Sequence, residues 1–365
     1  MKIAFRTDAS IQIGTGHVMR CLTLATKLQQ QGHDCRFICR EHLGHLTEFI
    51  TDKGFAVDLL PPPAYDTAIY ALNWNAHAPW LGVSWQQDAE QTENLLKEQA
   101  VDWLIVDHYA LDANWEQRLS AVTRQIMVID DLADRDHQCH LLLDQTYGRN
   151  KEDYKTRVPE YCQVLCGSQF ALLRPEFAQW REYSLLRRQK PELKQLLVNM
   201  GGVDKDNVTG QVLAALHESE LPLDCRIVVV MGATAPSLEQ VKLQADTLSW
   251  HTEVKVGVNN MAQLMADSDL AIGAAGATSW ERCCLGLPTI TVVLANNQHK
   301  IAETLQQAGA AAVTLAINQL GSSLNQLLTS PTSLIQMSNQ AAQISDGQGS
   351  LQVCHFLEKS VATRS

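Results

Sequence analysis

The sequence predicts an α/β protein made of two doubly wound parallel-sheet domains that face a cleft. Its 365 residues exceed what one ordinary hydrophobic core holds. Short apolar runs alternate with helical segments along the chain, as in βαβ units. A glycine-rich turn follows a strand-like run in each half, where parallel sheets collect ligands. A hydrophobic fraction of 45% and a charged fraction of 19% are typical of globular proteins.

Ten short apolar runs have the character of buried strands. They are KIAFR, CRFIC, DWLIVD, IMVID and LLLDQ in the first half, and LLVNM, RIVVVM, VKV, LAIGA and TITVVL in the second. The charged segment 176–191 ends in Pro191 and predicts the break between the halves. We therefore expect domains at 1–185 and 186–365, and allow the last helix to cross back. Residues 61–80 are rich in proline and aromatic residues and predict an irregular insertion.

Charge and cysteine usage limit the partners. A net charge of −11 argues against binding to nucleic acid, because the phosphate backbone would be repelled. The ten cysteines form no paired CxxC pattern, which predicts reduced and mostly buried thiols. Without an apolar leader or a run of about 18 apolar residues, the chain is expected to be cytoplasmic, with no membrane partner. We also expect a monomer that needs no cofactor.

The loop after the first strand carries the first candidate site. Gly14 and Gly16 form a tight turn before a helical stripe, and His17 stands at the start of that helix. Histidine titrates near neutrality, which suits an acid–base role, although a histidine there is often only a capping or packing residue. Met19 occupies the place of the third glycine of a dinucleotide motif, which disfavours a nicotinamide or flavin enzyme.

The second half carries a predicted phosphate cradle. Gly201 and Gly202 end a strand where the bare backbone can approach a ligand. Further along, the run Gly276, Ala277, Thr278 and Ser279 begins a helix, so its N–H groups and hydroxyls can meet an anion. Glu281 could accept hydrogen bonds from a ribose diol, or it could only complement the helix dipole; the residues alone leave these readings even.

These motifs carry a family resemblance. The order GG, GAAGATSWE, GLP and NNQ resembles the nucleotide-binding half of the GT-B glycosyltransferases, which have two Rossmann-like domains, and especially the UDP-GlcNAc enzyme of peptidoglycan synthesis. Together, RTDASIQIGTGHVMRCLTLA, IVDHYALD, CGSQFALLRPEF, VNMGGVDKDN and ANNQ resemble the UDP-sugar hydrolases of pseudaminic acid biosynthesis over most of residues 1–310. Members of that family cleave UDP-2,4-diacetamido-2,4,6-trideoxy-β-L-altropyranose to UDP and the free sugar.

The resemblance implies roles for particular residues. His17 matches the catalytic histidine, which takes a proton from water as it attacks the anomeric carbon with inversion. Tyr109 matches a tyrosine on the sugar side. Apart from the resemblance, Asp8 lies within reach of the first loop, where it could orient His17 or a sugar substituent, or form a purely structural pair with Arg6. Asn297 and Gln298 match residues facing the sugar diphosphate. The glycine turns of both halves would bind the substrate, and no metal would be needed.

Three functions remain open at this stage. The first is a UDP-sugar hydrolase, with a hydrolysing epimerase as a near alternative. The second is a GT-B transferase in which His17 deprotonates an acceptor hydroxyl. The third is a nucleotide-sugar binding protein without turnover. The triplet Asp204 to Asp206 keeps a metal role open, although a solvated loop is the commoner reading.

Overall fold

The computed structural model describes residues 1–63, 76–190, 192–294 and 298–362. They form two compact units, one of Met1–Leu172 with Gly349–Ser365 and the other of Leu173–Gln348. Within the described residues, every helix is too short or too polar to cross a bilayer. All ten cysteines are free thiols, and every one except the half-buried Cys162 is buried.

The first unit is built on a seven-stranded parallel sheet. Its strands are β1 (Lys2–Thr7), β2 (Asp34–Arg40), β3 (Ala56–Leu60), β4 (Val101–Asp107), β5 (Thr123–Ile129), β6 (Leu141–Asp144) and β7 (Gln163–Cys166). Its helices are α1 (Gly16–Gln30), α2 (Thr47–Asp52), α3 (Trp85–Glu98), α4 (Ala113–Leu119) and α13 (Gly349–Ala362). The strand order is β3-β2-β1-β4-β5-β6-β7. The order reverses between β1 and β4, which is where doubly wound sheets bind ligands.

The second unit repeats this plan with six parallel strands. They are β8 (Gln195–Asn199), β9 (Arg226–Met231), β10 (Thr252–Val256), β11 (Leu270–Ala274), β12 (Thr289–Val292) and β13 (Ala312–Thr314), in the order β10-β9-β8-β11-β12-β13. Its helices are α5 (Pro175–Arg187), α6 (Val208–Leu216), α7 (Leu238–Ala245), α8 (Met261–Asp267), α9 (Thr278–Cys284), α10 (His299–Gln307), α11 (Leu320–Leu328) and α12 (Pro331–Ile344). The reversal here lies between β8 and β11.

Burial on both faces explains why the strands are continuous apolar runs. In β1, Ile3 and Phe5 join one apolar cluster while Ala4 joins the other, because side chains alternate across a sheet. Leu104 and Ile105 of β4 divide in the same way. The two-domain α/β class and all ten predicted strand runs are confirmed, and β3, β7 and β13 are additional strands.

The units differ from the predicted domain limits over residues 173–185, whereas the crossing of the last helix into the first unit is the possibility kept open for it above. Residues 173–185, expected in the first domain, lie in the second unit because α5 packs against α8 and α9. The C-terminal helix α13 lies in the first unit, where its Val353 and Leu357 join the core beside α1. Of the expected insertion at 61–80, residues 64–75 lie outside the described part of the chain, and a short 3-10 helix covers Ala78–Leu81.

Candidate active site

The loop between β1 and α1 is held by its own polar groups. The Ser10 hydroxyl accepts hydrogen bonds from the backbone N–H groups of Gln12 (3.1 Å) and Ile13 (2.9 Å). Gly14 donates to the Ser10 carbonyl (2.8 Å) and has a φ of +82°, which favours glycine. The loop thereby places His17 in the first turn of α1, at the point where the sheet order reverses.

His17 is paired with a carboxylate from the neighbouring strand. The parallel register aligns Thr7 of β1 with Asp107 of β4, so Asp107 ends its strand beside the loop. His17 Nδ1 lies 2.6 Å from Asp107 Oδ1, and the Asp107 side chain is fully buried. An ionised carboxylate only accepts hydrogen bonds, so Nδ1 donates to it, and in the neutral imidazole Nε2 is then the nitrogen that can accept a proton. This is the arrangement of an oriented general base.

Arg20, one turn further along α1, binds the same carboxylate. Its Nε donates to Asp107 Oδ2 (2.6 Å) and its Nη2 to Oδ1 (2.8 Å). Burial alone would raise the pKa of Asp107, but the charge of Arg20 and the contacts with Arg20 and His17 outweigh it and hold that pKa well below its ordinary value. Asp107 is therefore ionised across the physiological range.

Tyr109 packs edge-on against His17. The two ring centroids are 4.5 Å apart at 85°. The Tyr109 hydroxyl donates to Asp131 Oδ2 (3.0 Å), which also pairs with Arg20 Nη1. Burial, together with the charge of Asp131, raises the pKa of Tyr109 well above its ordinary value. The phenol consequently stays protonated beside the candidate base.

Two further aromatic residues stand next to Tyr109. The Trp80 ring is stacked at 6.0 Å and 29° from Tyr109, and the His77 ring contacts both, at 4.6 Å from Trp80 and 5.3 Å from Tyr109. We call His77, Trp80 and Tyr109 the aromatic wall. His77 and Trp80 are half-buried, and Trp80 lies 6.4 Å from the His17 ring. Sequence reasoning missed both, although the aromatic content of residues 61–80 was a usable signal.

Asp8 does not orient His17; Asp107 occupies that place. Asp8 is fully buried, pairs with Arg6 Nη1 (2.7 Å) and accepts a hydrogen bond from the Arg40 backbone N–H (2.7 Å). Its other oxygen faces His108 Nε2 at 3.3 Å. These contacts hold the end of β1 against the end of β2 and against the residue that follows β4. The catalytic role expected for Asp8 is thus replaced by a structural one, and the Arg–Asp pair is part of that structure.

The glycine pair of the second unit follows β8. Gly201 has a φ of +103°, and a Cβ placed on it would have no heavy atom within 4 Å, so its surroundings are open. The Gly202 carbonyl lies against Gly232 at the end of β9, where an added Cβ would come within 2.1 Å of that oxygen. Only a residue without a side chain fits at position 232, so Gly232 allows the turn at Gly202 to pack against the end of β9; sequence reasoning missed this role.

Asp204 has a role within the fold. Its carboxylate accepts hydrogen bonds from the backbone N–H groups of Val208 (2.8 Å) and Thr209 (2.9 Å), and it thereby caps the start of α6.

The predicted cradle at the start of α9 divides into exposed backbone and internal side chains. Gly276 is half-buried and Ala277 is exposed. The hydroxyls of Thr278 and Ser279 instead accept hydrogen bonds from Arg282, at 3.2 and 3.1 Å. Burial lowers the pKa of Arg282 to about 10. Ser279 is almost fully buried, so its predicted ligand contact through the hydroxyl is corrected to an internal one.

Three other residues were predicted to bind the substrate: Glu281, Asn297 and Gln298. Glu281 is half-buried, and burial raises the pKa of its carboxyl to about 6 against the opposing charges of Arg174 and Arg282. The Gln298 side-chain oxygen accepts from the Leu294 backbone N–H (2.9 Å), which leaves its amide N–H groups for a ligand. Asn297 lies outside the described residues.

In each of the two sheets, the strand order reverses next to a loop that carries candidate site residues, as in doubly wound nucleotide-binding folds. Residues 196–351 match the family model of the glycosyltransferase family 28 C-terminal domain. The fold of MurG from Acinetobacter baumannii is similar over 98% of this chain and 99% of that one, with a TM-score of 0.67 at 17% identity. The GT-B fold expected from the sequence is confirmed.

Two curated relatives give the resemblance in more detail. The chain is 27% identical, over 85% of its length and 97% of the relative's, to the UDP-2,4-diacetamido-2,4,6-trideoxy-β-L-altropyranose hydrolase of Campylobacter jejuni. It is 25% identical, over 93% of its length and 88% of the relative's, to the spore coat polysaccharide biosynthesis protein SpsG of Bacillus subtilis. The resemblance to the altropyranose hydrolases found in the sequence is thus confirmed.

Proposed function

We propose that this protein is an enzyme that hydrolyses a UDP-sugar with inversion at the anomeric carbon, with His17 as the general base. The observation that carries the proposal is the 2.6 Å contact between His17 Nδ1 and the buried Asp107. It supports an imidazole oriented through Nδ1, so that Nε2 is the nitrogen that would take a proton from water.

The proposed step is a single displacement. A water oxygen forms a bond to the anomeric carbon while the bond from that carbon to the UDP oxygen breaks. The water proton passes to His17 Nε2, and UDP leaves with the bonding electron pair. Water attacks from the face opposite the leaving group, so the configuration inverts. Because UDP is already a stable anion, no protonation of the leaving group is needed.

The proposed substrate is UDP-2,4-diacetamido-2,4,6-trideoxy-β-L-altropyranose. The C. jejuni relative is a hydrolase of this compound, which supports the choice, since that relative is matched over 97% of its length. In this proposal the aromatic wall faces the sugar, where Tyr109 would position water or substrate.

The second unit is proposed to hold UDP. Gly201 and Gly202 would approach the diphosphate with bare backbone, and the N–H groups of Ala277 and Thr278 would bind its charge, whereas the N–H of Gly276 is donated to the Ala274 carbonyl. Gln298, with Asn297, would hold polar groups of the sugar diphosphate. These donors supply the anion stabilisation that a metal gives in other enzymes, so we expect activity to survive EDTA.

The test is UDP release from the altropyranose nucleotide in water. We expect His17→Ala to lower turnover by about 100-fold or more, because a positioned base contributes that much. The exposed His355 of the same unit gives a matched control, and His355→Ala should leave turnover unchanged. Wild-type turnover in the His17→Ala variant would remove the base assignment. NMR of the first-formed anomer reports inversion, and a retained configuration would contradict the single displacement.

A glycosyltransferase is the second candidate, favoured by the family 28 match over residues 196–351. In that case His17 would deprotonate an acceptor hydroxyl instead of water. UDP release that depends on an added acceptor would select transfer, whereas release in water alone selects hydrolysis. Binding of UDP without release from any UDP-sugar tested would contradict both.

A further inference from the structure

Arg20 is a buried cation that the proposed displacement does not use. Only 7% of its side chain is exposed. Two of its nitrogens bind both oxygens of Asp107, at 2.6 and 2.8 Å, and a third pairs with Asp131. Its Nη2 also lies 3.5 Å from His17 Nδ1. Arg20 therefore contacts the carboxylate that orients the candidate base and stands beside the base itself.

We propose that Arg20 is a positioning residue that keeps His17 in its neutral, proton-accepting form by sharing the charge of Asp107. This inference rests on the proposed function of His17. A carboxylate that faced only the imidazole would favour its protonated state, because opposite charges stabilise each other at short range. The guanidinium takes up part of that negative charge, and its nearby positive charge disfavours a second cation on His17.

Asp131 offsets part of the positive charge of Arg20. Its Oδ2 accepts both the Arg20 contact and the Tyr109 hydroxyl. If Asp131 lost its charge, more of the positive charge of Arg20 would act on His17. The two carboxylates should thus influence His17 in the same direction: Asp107 bonds to it directly, whereas Asp131 acts on it by offsetting the charge of Arg20.

Other charged and titratable groups face this cluster as well. Tyr109 contacts the His17 ring, and Arg135 lies over the Tyr109 ring at 5.7 Å. Burial lowers the pKa of both His77 and His108. Arg135 is itself paired with Asp130 at 2.9 Å. None of these groups bonds to Asp107 in the described structure, but the Cys21 thiol donates to Asp107 Oδ2 at 3.5 Å, and burial raises its pKa so that it stays protonated.

Next to Asp131, Arg149 pairs with Asp144, and burial together with the charge of Asp131 raises the pKa of Asp144 to about 7. Arg20 and Asp131 are therefore tested together, since Asp144 alone cannot shift the acid limb in opposite directions in their variants.

The experiment compares three variants by the pH dependence of kcat. Arg20→Gln removes the cation, so protonated His17 is stabilised. The acid limb of the profile, where kcat falls as the pH is lowered, should therefore move to higher pH by about one unit. Asp131→Asn should move that limb to lower pH. Arg20→Lys keeps the charge and should stay near the wild-type limb, although kcat falls because the bidentate geometry is lost. An overturning result is an acid limb unmoved in both Arg20→Gln and Asp131→Asn, whatever their kcat.

A second measurement needs no substrate. The His17 ring signal, assigned by its loss in His17→Ala, is followed against pH by NMR of histidine-labelled protein. The same opposite displacements are expected in Arg20→Gln and Asp131→Asn, and coincident titrations would overturn the inference. If the wild type releases no UDP yet the displacements occur, the proposed function fails while the role of Arg20 stands.

Discussion

At the scale of single residues, the pairing of His17 with Asp107 has a direct consequence. Asp107→Asn keeps the size of the side chain, but its amide can donate to Nδ1 and so favour the tautomer with the proton on Nε2. That tautomer cannot accept a proton from water at Nε2. We expect kcat to fall about 100-fold or more with little change in KM.

A control for this substitution lies on the same strand. Asp102, at the other end of β4, accepts a hydrogen bond from the Lys2 backbone N–H at 2.8 Å and is far along the strand from His17. Asp102→Asn should leave kcat unchanged. If Asp107→Asn retained wild-type kcat, the carboxylate would not be orienting a base.

Trp80 gives a second prediction at this scale. Its half-buried ring stands 6.0 Å from Tyr109 and 6.4 Å from His17, so it can offer an apolar face to a deoxy sugar. Trp80→Leu should raise KM about tenfold while kcat changes less, since stacking holds substrate and transition state alike. Trp180 of the second unit, packed on Tyr183, provides the control variant Trp180→Leu. Equal KM values for wild type and Trp80→Leu would exclude a contact with the sugar.

At the scale of elements, the loop between β1 and α1 should tolerate one glycine substitution and resist another. Gly14 has a φ of +82°, whereas Gly16 has an ordinary φ, and a Cβ on either meets no atom within 4 Å. Gly14→Ala should cost about 1 kcal/mol of unfolding free energy through backbone strain alone. Gly16→Ala should cost about 0.5 kcal/mol or less. Urea unfolding measures both, and equal losses would contradict the strain argument.

Local patterns predicted most elements but not the role of α5. Its charged sequence indicated a linker, yet Arg188 directly after it donates to the carbonyls of Met265 and Ser268 at the end of α8. A buried arginine that caps another helix has the same local signature as a solvated one. The edge strand β3 was missed for a similar reason, because its residues are only partly buried and show no continuous apolar run.

At the scale of the whole molecule, the sequence located the site loop but chose the wrong partner for its histidine. Asp8 is nine residues from His17, and Asp107 is ninety away. Only the pairing of β1 with β4 aligns Thr7 with Asp107 and makes the distant residue the closer one. Arg20 and Asp131 were missed for the same reason. Their roles depend on contacts between residues of α1 and residues at the carboxyl ends of β4 and β5, which are far apart in the sequence.

The return of α13 to the first unit makes the fold of that unit depend on the end of the chain. Leu357 is fully buried in the core beside α1, and its carbonyl accepts a hydrogen bond from the Trp103 indole N–H at 3.3 Å. Leu357→Ala should therefore cost roughly 2–5 kcal/mol, the usual range for a buried leucine. Leu351 on the same helix is 40% exposed, and Leu351→Ala should cost about 0.5 kcal/mol or less. Thermal unfolding of the full chain compares the two, and equal melting temperatures would mean that the first unit is stable without the packing of α13.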